Sequence, residues 1–119
     1  MKDKSMRMCG VYTIINLKNR KRYIGGSSNV EHRMHIQKLA IKNGDCSPLM
    51  RADLKEYGSK YFRVFLLEFC TRDELCEKEN YYMAKYNTRD RNYGYNRLPA
   101  HECDYSTPKV KIQYIREDK

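Results

Sequence analysis

Two short runs rich in β-branched and aromatic residues, Gly10-Val11-Tyr12-Thr13-Ile14-Ile15-Asn16 and Arg22-Tyr23-Ile24-Gly25-Gly26, are separated only by the stretch from Leu17 to Lys21. Runs this close predict an antiparallel β-hairpin, and that hairpin is the strongest constraint on the fold. Side chains alternate along a strand, which groups Tyr12 with Gly10 and Ile14 and Tyr23 with Gly25. The connecting tip carries Lys18, Arg20 and Lys21.

The rest of the chain is punctuated by helix signals. Ser28-x-x-Glu31 forms a capping box that opens a helix to about Lys42, ended by Asn43-Gly44-Asp45. Ser47-Pro48 opens a second helix, closed at Tyr57-Gly58. Tyr61 to Glu68 reads as a central strand, and Thr71-x-x-Glu74 introduces a third helix from Asp73 to about Asn87. Residues 92–96 read as loop or a short final strand, and the alternating segment Lys109 to Ile115 as an edge strand. The order predicts an α+β domain: a small, mainly antiparallel central sheet of about three strands flanked by helices. A chain of 119 residues has room for one such domain, placed at 9–98 between an N-terminal extension (1–8) and a C-terminal tail (99–119).

Charge narrows the partner class. The chain carries 24 Lys and Arg against 15 Asp and Glu, and residues 1–96 hold 19 of those cations and 11 of those anions. The excess therefore belongs to the body of the domain, and a polyanion is the leading partner. No apolar run approaches the roughly 20 residues that span a bilayer, and no hydrophobic region follows Met1–Met8, so an intracellular, cytoplasmic protein without a membrane partner is expected. The five cysteines show no C-x-x-C spacing and read as reduced thiols rather than zinc ligands.

Two polar side chains fall on the wrong side of their helices. On a wheel of the first helix, Val30, Met34, Ile36, Ala40 and Ile41 fill one arc, and Arg33 and Gln37 lie inside it. His32 and His35 fall outside. In the third helix Leu75, Cys76, Tyr82, Met83 and Tyr86 define a face that contains Glu79. A buried charge costs several kcal/mol unless it is paired. Either Arg33 and Glu79 pair with each other or reach the rim of the core, or they line a cleft in which Glu79 holds a divalent metal and Arg33 a phosphate oxygen. In the second case the hairpin tyrosines stand beside them, next to glycines that let substrate approach closely.

Gly10-Val11-Tyr12 followed by Tyr23-Ile24-Gly25 resembles the signature pair of the GIY-YIG nuclease superfamily, with Val in place of the first motif's Ile. Arg33, the run Glu79-Asn80-Tyr81-Tyr82 and Gly94-Tyr95-Asn96 follow in matching order. The phrase Leu54 to Phe62 is most similar to phage-type homing and free-standing endonucleases of that superfamily. The resemblance implies a divalent-metal-dependent endonuclease, phage- or virus-encoded or of homing or restriction type, acting on double-stranded DNA. It implies catalytic roles for Tyr12, Tyr23, Arg33 and Glu79, with one Mg²⁺ or Mn²⁺ on Glu79. Gly25, Ser27 and Gln37 are then substrate contacts and Asn96 a structural or phosphate-proximal residue, while Lys18, Arg20 and Lys21 either track the DNA backbone or form an ordinary solvated turn.

One position departs from the superfamily pattern. Many members carry His four residues after the arginine, where this chain has Gln37, and an amide takes no proton at neutral pH. The general base then falls to a phenol, Tyr12 in preference to Tyr23, which positions water. A tyrosine at its ordinary pKa near 10 is ionised to about one part in a thousand at pH 7, so a neighbouring metal and Arg33 must assist. The same substitution motivates the alternative of a weakly active or inactive DNA-binding module on this scaffold. Specificity is expected from a homodimer, an appended domain or surface loops.

Overall fold

The computed structural model describes residues 8–96; the tail strand expected at 109–115 lies outside the described residues. Strands β1 (Cys9–Asn16) and β2 (Arg22–Ser27) form the expected hairpin. Helices α1 (Val30–Asn43) and α2 (Pro48–Tyr57) follow. A 3-10 turn (Ser59–Tyr61) then leads into β3 (Phe62–Cys70), and α3 (Arg72–Tyr86) closes the set. The fold is α+β, three antiparallel strands in one sheet with three helices, in the order β2-β1-β3.

That order corrects one expectation. The apolar run of β3 reads as a central strand, but β1 takes the centre and is buried along all eight residues. β3 is an edge strand whose Phe65, Leu66 and Phe69 are 50%, 38% and 41% exposed. A continuous apolar run marks a strand without fixing its neighbours, and β1 is already flanked on its other side by its hairpin partner.

The helix ends follow their caps. α1 starts one residue later than the Ser28 box implies: Asn29 is the N-cap and its side chain accepts from His32 N–H, while Gly44 ends the helix in the left-handed region at φ 74°. α2 takes Pro48 in its first turn, and α3 has the reciprocal Thr71–Glu74 capping box. Within α1, Val30 and Ile41 are buried whereas Ile36 is 44% exposed, so the inward stripe is narrower than the wheel predicts. Arg33 and Gln37 remain on its half-buried side. Residues 92–96 form loop with a single parallel bridge, Gly94 to Arg22.

The sheet separates two apolar clusters. Tyr12 and Ile14 join Val30, Ile41, Met50, Leu54 and Phe62 on the α1–α2 side. Val11 and Ile24 join Leu75 and Met83 beneath α3. Cys9, Cys46 and Cys70 are free thiols. Among the described residues no helix is long and apolar enough to cross a membrane.

Candidate active site

The hairpin register places Tyr12 directly opposite Gly25. A side chain at Gly25 would meet the Tyr12 hydroxyl at 2.5 Å, so the glycine is what admits the phenol. Tyr12 is 1% exposed, and the Tyr23 ring lies beside it with centroids 6.3 Å apart and planes tilted by 49°. α1 covers this face. Gln37 Nε2 donates to the Tyr12 hydroxyl oxygen at 3.0 Å, and Arg33 sits one turn earlier on the same half-buried side of the helix.

Glu79 approaches β2 from the opposite face. It is 4% exposed on the buried side of α3, with Leu75, Cys76 and Met83. A Cβ at Gly26 would collide with Glu79 Oε2. Two successive glycines of one strand therefore seat the phenol and the carboxylate on its two sides. Adjacent Cα atoms are about 3.8 Å apart, so the two oxygens lie no more than about 12 Å from each other.

The edge position of β2 gives both groups a common border. Backbone groups of an antiparallel strand point to the same neighbour at alternate residues. Arg22 N–H donates to Tyr93 C=O at 3.3 Å, and Tyr95 N–H donates to Arg22 C=O at 2.8 Å. Two residues on, the Asn96 carboxamide accepts from Ile24 N–H at 2.8 Å and donates to Ile24 C=O at 3.0 Å. Gly26 is the next outward-facing position, and among the described residues the caps stop before it. The end of the strand that bears Gly25 and Gly26 is buried, whereas Arg22 and Tyr23 are half-buried.

The other candidate substrate contacts lie along the strands and in hydrogen bonds of the fold. Asn96, buried, spends its amide on Ile24 and acts as a strut beneath the β2 edge. Ser27 Oγ accepts from Asn29 N–H at 3.1 Å, holding the turn into α1. Lys18, Arg20 and Lys21 occupy the far end of the hairpin, where Ile15 pairs with Arg22, about 10–15 Å along the strands from Gly25–Gly26. Lys18 Nζ lies over the Tyr61 ring, 5.1 Å from its centroid.

Two polar clusters brace this frame. Tyr95, buried, donates to Asp53 Oδ2 at 2.8 Å and accepts from Asn16 Nδ2 at 3.1 Å, while Asn19 Nδ2 donates to the same Asp53 oxygen at 3.0 Å. Burial, then the negative Asp53 carboxylate, push the Tyr95 phenol above the ordinary tyrosine range. On α3, Tyr82 donates to Glu68 Oε1 at 2.7 Å and Lys78 bridges Glu68 Oε2 at 2.8 Å. The bond to Glu68 raises Tyr82 to about 12, and the bond from Lys78 lowers Glu68 below the usual carboxylate range. Gly26 is the positioning residue that the sequence reading missed, although the doubled glycine after Ile24 marked it.

Among the described residues, no group of three or more His, Cys, Asp and Glu side chains gathers as a metal cage. Glu79 instead offers one buried carboxylate against bare glycine backbone. That donor fits Mg²⁺ or Mn²⁺, hard cations that keep most of their ligands as water and use one or two carboxylates.

A family model described as the GIY-YIG catalytic domain matches residues 8–96. Among solved structures, a mutant of the catalytic domain of intron endonuclease I-TevI is similar at 25% identity with a TM-score of 0.65, covering 79% of this chain and 97% of that one. A structure of the catalytic domain of homing endonuclease I-TevI is similar in fold at 23% identity with a TM-score of 0.62, covering 74% of this chain and 98% of that one. No curated protein matches the chain.

Proposed function

The chain belongs to the GIY-YIG family, and we propose on that premise that it is a divalent-metal-dependent DNA endonuclease whose site is formed by Tyr12, Tyr23, Arg33 and Glu79. The observation that carries this reading is the seating of Glu79: a buried carboxylate held against a glycine, one residue along the strand from the glycine that admits Tyr12. The two glycines leave room for an acid and a phenol close enough to act on one phosphate.

Phosphodiester hydrolysis needs charge neutralisation, an oriented water and proton movement at both ends. Glu79 would hold the cation, which when bound supplies Lewis-acid polarisation of the phosphate and screens charge at the leaving oxygen. Arg33 carries a planar set of donors that can grip a non-bridging oxygen at two points. Tyr12, as its phenolate, would take the proton of the attacking water, Tyr23 would orient that water, and the leaving oxygen would take its proton from solvent. A homing-type role is supported by the likeness to an intron endonuclease catalytic domain. A second reading, a DNA-binding module without turnover, is favoured by Gln37, an amide where many members place an imidazole.

Supercoiled plasmid incubated with Mg²⁺ or Mn²⁺ separates the two. An endonuclease converts it to nicked or linear DNA, and chelation abolishes the conversion. A binding module retards the plasmid in a gel and leaves it supercoiled.

A further inference from the structure

Away from β2, helices α1 and α2 and the start of β3 border two adjoining open hollows of about 310 and 470 Å³ that share Ile41, Lys42 and Ser59. Their walls present Lys38, Lys42, Arg51, Lys55 and Arg63 and no carboxylate. Ile41, Leu54 and Phe62 supply an apolar floor. Among the described residues none of the five cations forms an ion pair. Arg51 and Arg63 are steadied on backbone carbonyls: Arg51 donates to Cys46 C=O at 2.8 Å and Arg63 to Phe62 C=O at 3.0 Å. Both retain further guanidinium donors.

The spacing of these charges is costly to the free protein. Lys38 and Lys42 stand four residues apart on α1, and Arg51 and Lys55 four residues apart on α2. Like charges at that spacing repel and weaken a helix. Here the two rows border adjoining hollows, with Lys42 common to both, so their positive fields add. Of the ten carboxylates among the described residues, none lines either hollow. The C-terminal dipoles of the helices ease Lys42 and Lys55 only, which sit in the last turns.

We propose that this groove is a second DNA contact, a track for the phosphodiester backbone of the duplex held at the β2 site. The inference rests on the endonuclease reading for the identity of its polyanion. Phosphates spaced along a strand match paired rows of cations better than a single compact anion does. The apolar floor suits the sugar face of the backbone. α1 carries both surfaces, Arg33 and Gln37 on one flank and Lys38 and Lys42 on the other, so a duplex laid over this helix meets both.

The test compares two triple variants of the full chain: Lys38→Gln/Lys42→Gln/Lys55→Gln in the groove, and Arg72→Gln/Lys85→Gln/Arg91→Gln on and beyond α3. Binding of a labelled 30-base-pair duplex is followed by fluorescence anisotropy without divalent metal, across a KCl series. Each phosphate contact contributes about 0.9 to the slope of log affinity against log salt. The groove triple is expected to lose two to three units of slope and more than tenfold in affinity at moderate salt, and the comparison triple less than one unit and less than about threefold. Equal losses in the two triples would overturn the proposal. A second readout is independent of DNA: Lys38→Gln alone raises the Tm of the free protein by about 1–3 °C by relieving the repelling pair. An unchanged or lowered Tm contradicts the repulsion on which the inference stands. Because binding is measured without metal and without turnover, a protein that fails to cleave plasmid defeats the endonuclease reading and leaves this comparison to decide the groove.

Discussion

Gln37 Nε2 donates a 3.0 Å hydrogen bond to the phenol oxygen of Tyr12. A donor to that oxygen stabilises a phenolate more than a phenol, because the bond becomes charge-assisted when the proton leaves. An amide provides this help at every pH, whereas an imidazole titrates near 6.5. The activity of the wild-type protein is therefore expected to rise with pH on one alkaline limb, with no ionisation near neutrality. Gln37→Leu should move that limb to higher pH, and Gln37→His should add a second ionisation at lower pH. Cleavage rates from pH 5.5 to 10 provide the check, and superimposable profiles for all three proteins would remove Gln37 from the mechanism.

Filling either glycine of the pair should separate chemistry from folding. A methyl at Gly26 displaces the Glu79 carboxylate, and one at Gly25 displaces the Tyr12 hydroxyl. Gly26→Ala is expected to lower cleavage by at least 10²-fold, since misplacing a reacting group by about 1 Å costs that much. Circular dichroism and metal titration accompany the assay, with weaker Mn²⁺ binding as the mark of a displaced Glu79.

The Tyr95 hydroxyl ties the hairpin to α2 through Asp53 and Asn16. Tyr95→Phe leaves both partners short of a bond and should destabilise the domain by about 1–3 kcal/mol. Thermal unfolding reads this as a fall in Tm of several degrees, with DNA cleavage at low temperature largely retained.

Much of the candidate site is legible in the sequence because it consists of local conflicts. Arg33, Gln37 and Glu79 each interrupt an apolar helical face, and the structure keeps all three half-buried or buried. The hairpin was legible because its two runs are adjacent in the chain. The edge position of β3 was not, since strand order depends on pairings between distant segments that an apolar run does not encode. Ile36 misled for a related reason: periodicity identifies a face, but the sheet beneath decides how wide that face is. For Asn96 the sequence left a structural and a phosphate-proximal role open, and its partner Ile24, 72 positions away, could not be read from residue type alone.

Alkaline pH should loosen the fold through its tyrosines. Tyr82 is raised to about 12 and Tyr95 is raised further, against an unfolded value near 10. The folded state thus holds protons that the unfolded chain releases, so this stability is complete below pH 10 and is lost as pH climbs through the raised values. Glu68 works in the other direction: its lowered value gives stability above the ordinary carboxylate range that is lost as pH falls through the depressed one. Urea midpoints from pH 8 to 12 should decline above pH 10, and less steeply in Tyr82→Phe.

The central claim is that a buried acid seated on a glycine provides the metal-dependent step of DNA hydrolysis. Single-turnover cleavage of one defined duplex, in Mg²⁺ and in Mn²⁺, measures it most directly when wild-type protein and Glu79→Ala are run side by side. The account predicts cleavage by the wild type that requires the cation, with a loss of at least 10³-fold in Glu79→Ala while duplex binding persists. Cleavage by Glu79→Ala within tenfold of the wild type would contradict it.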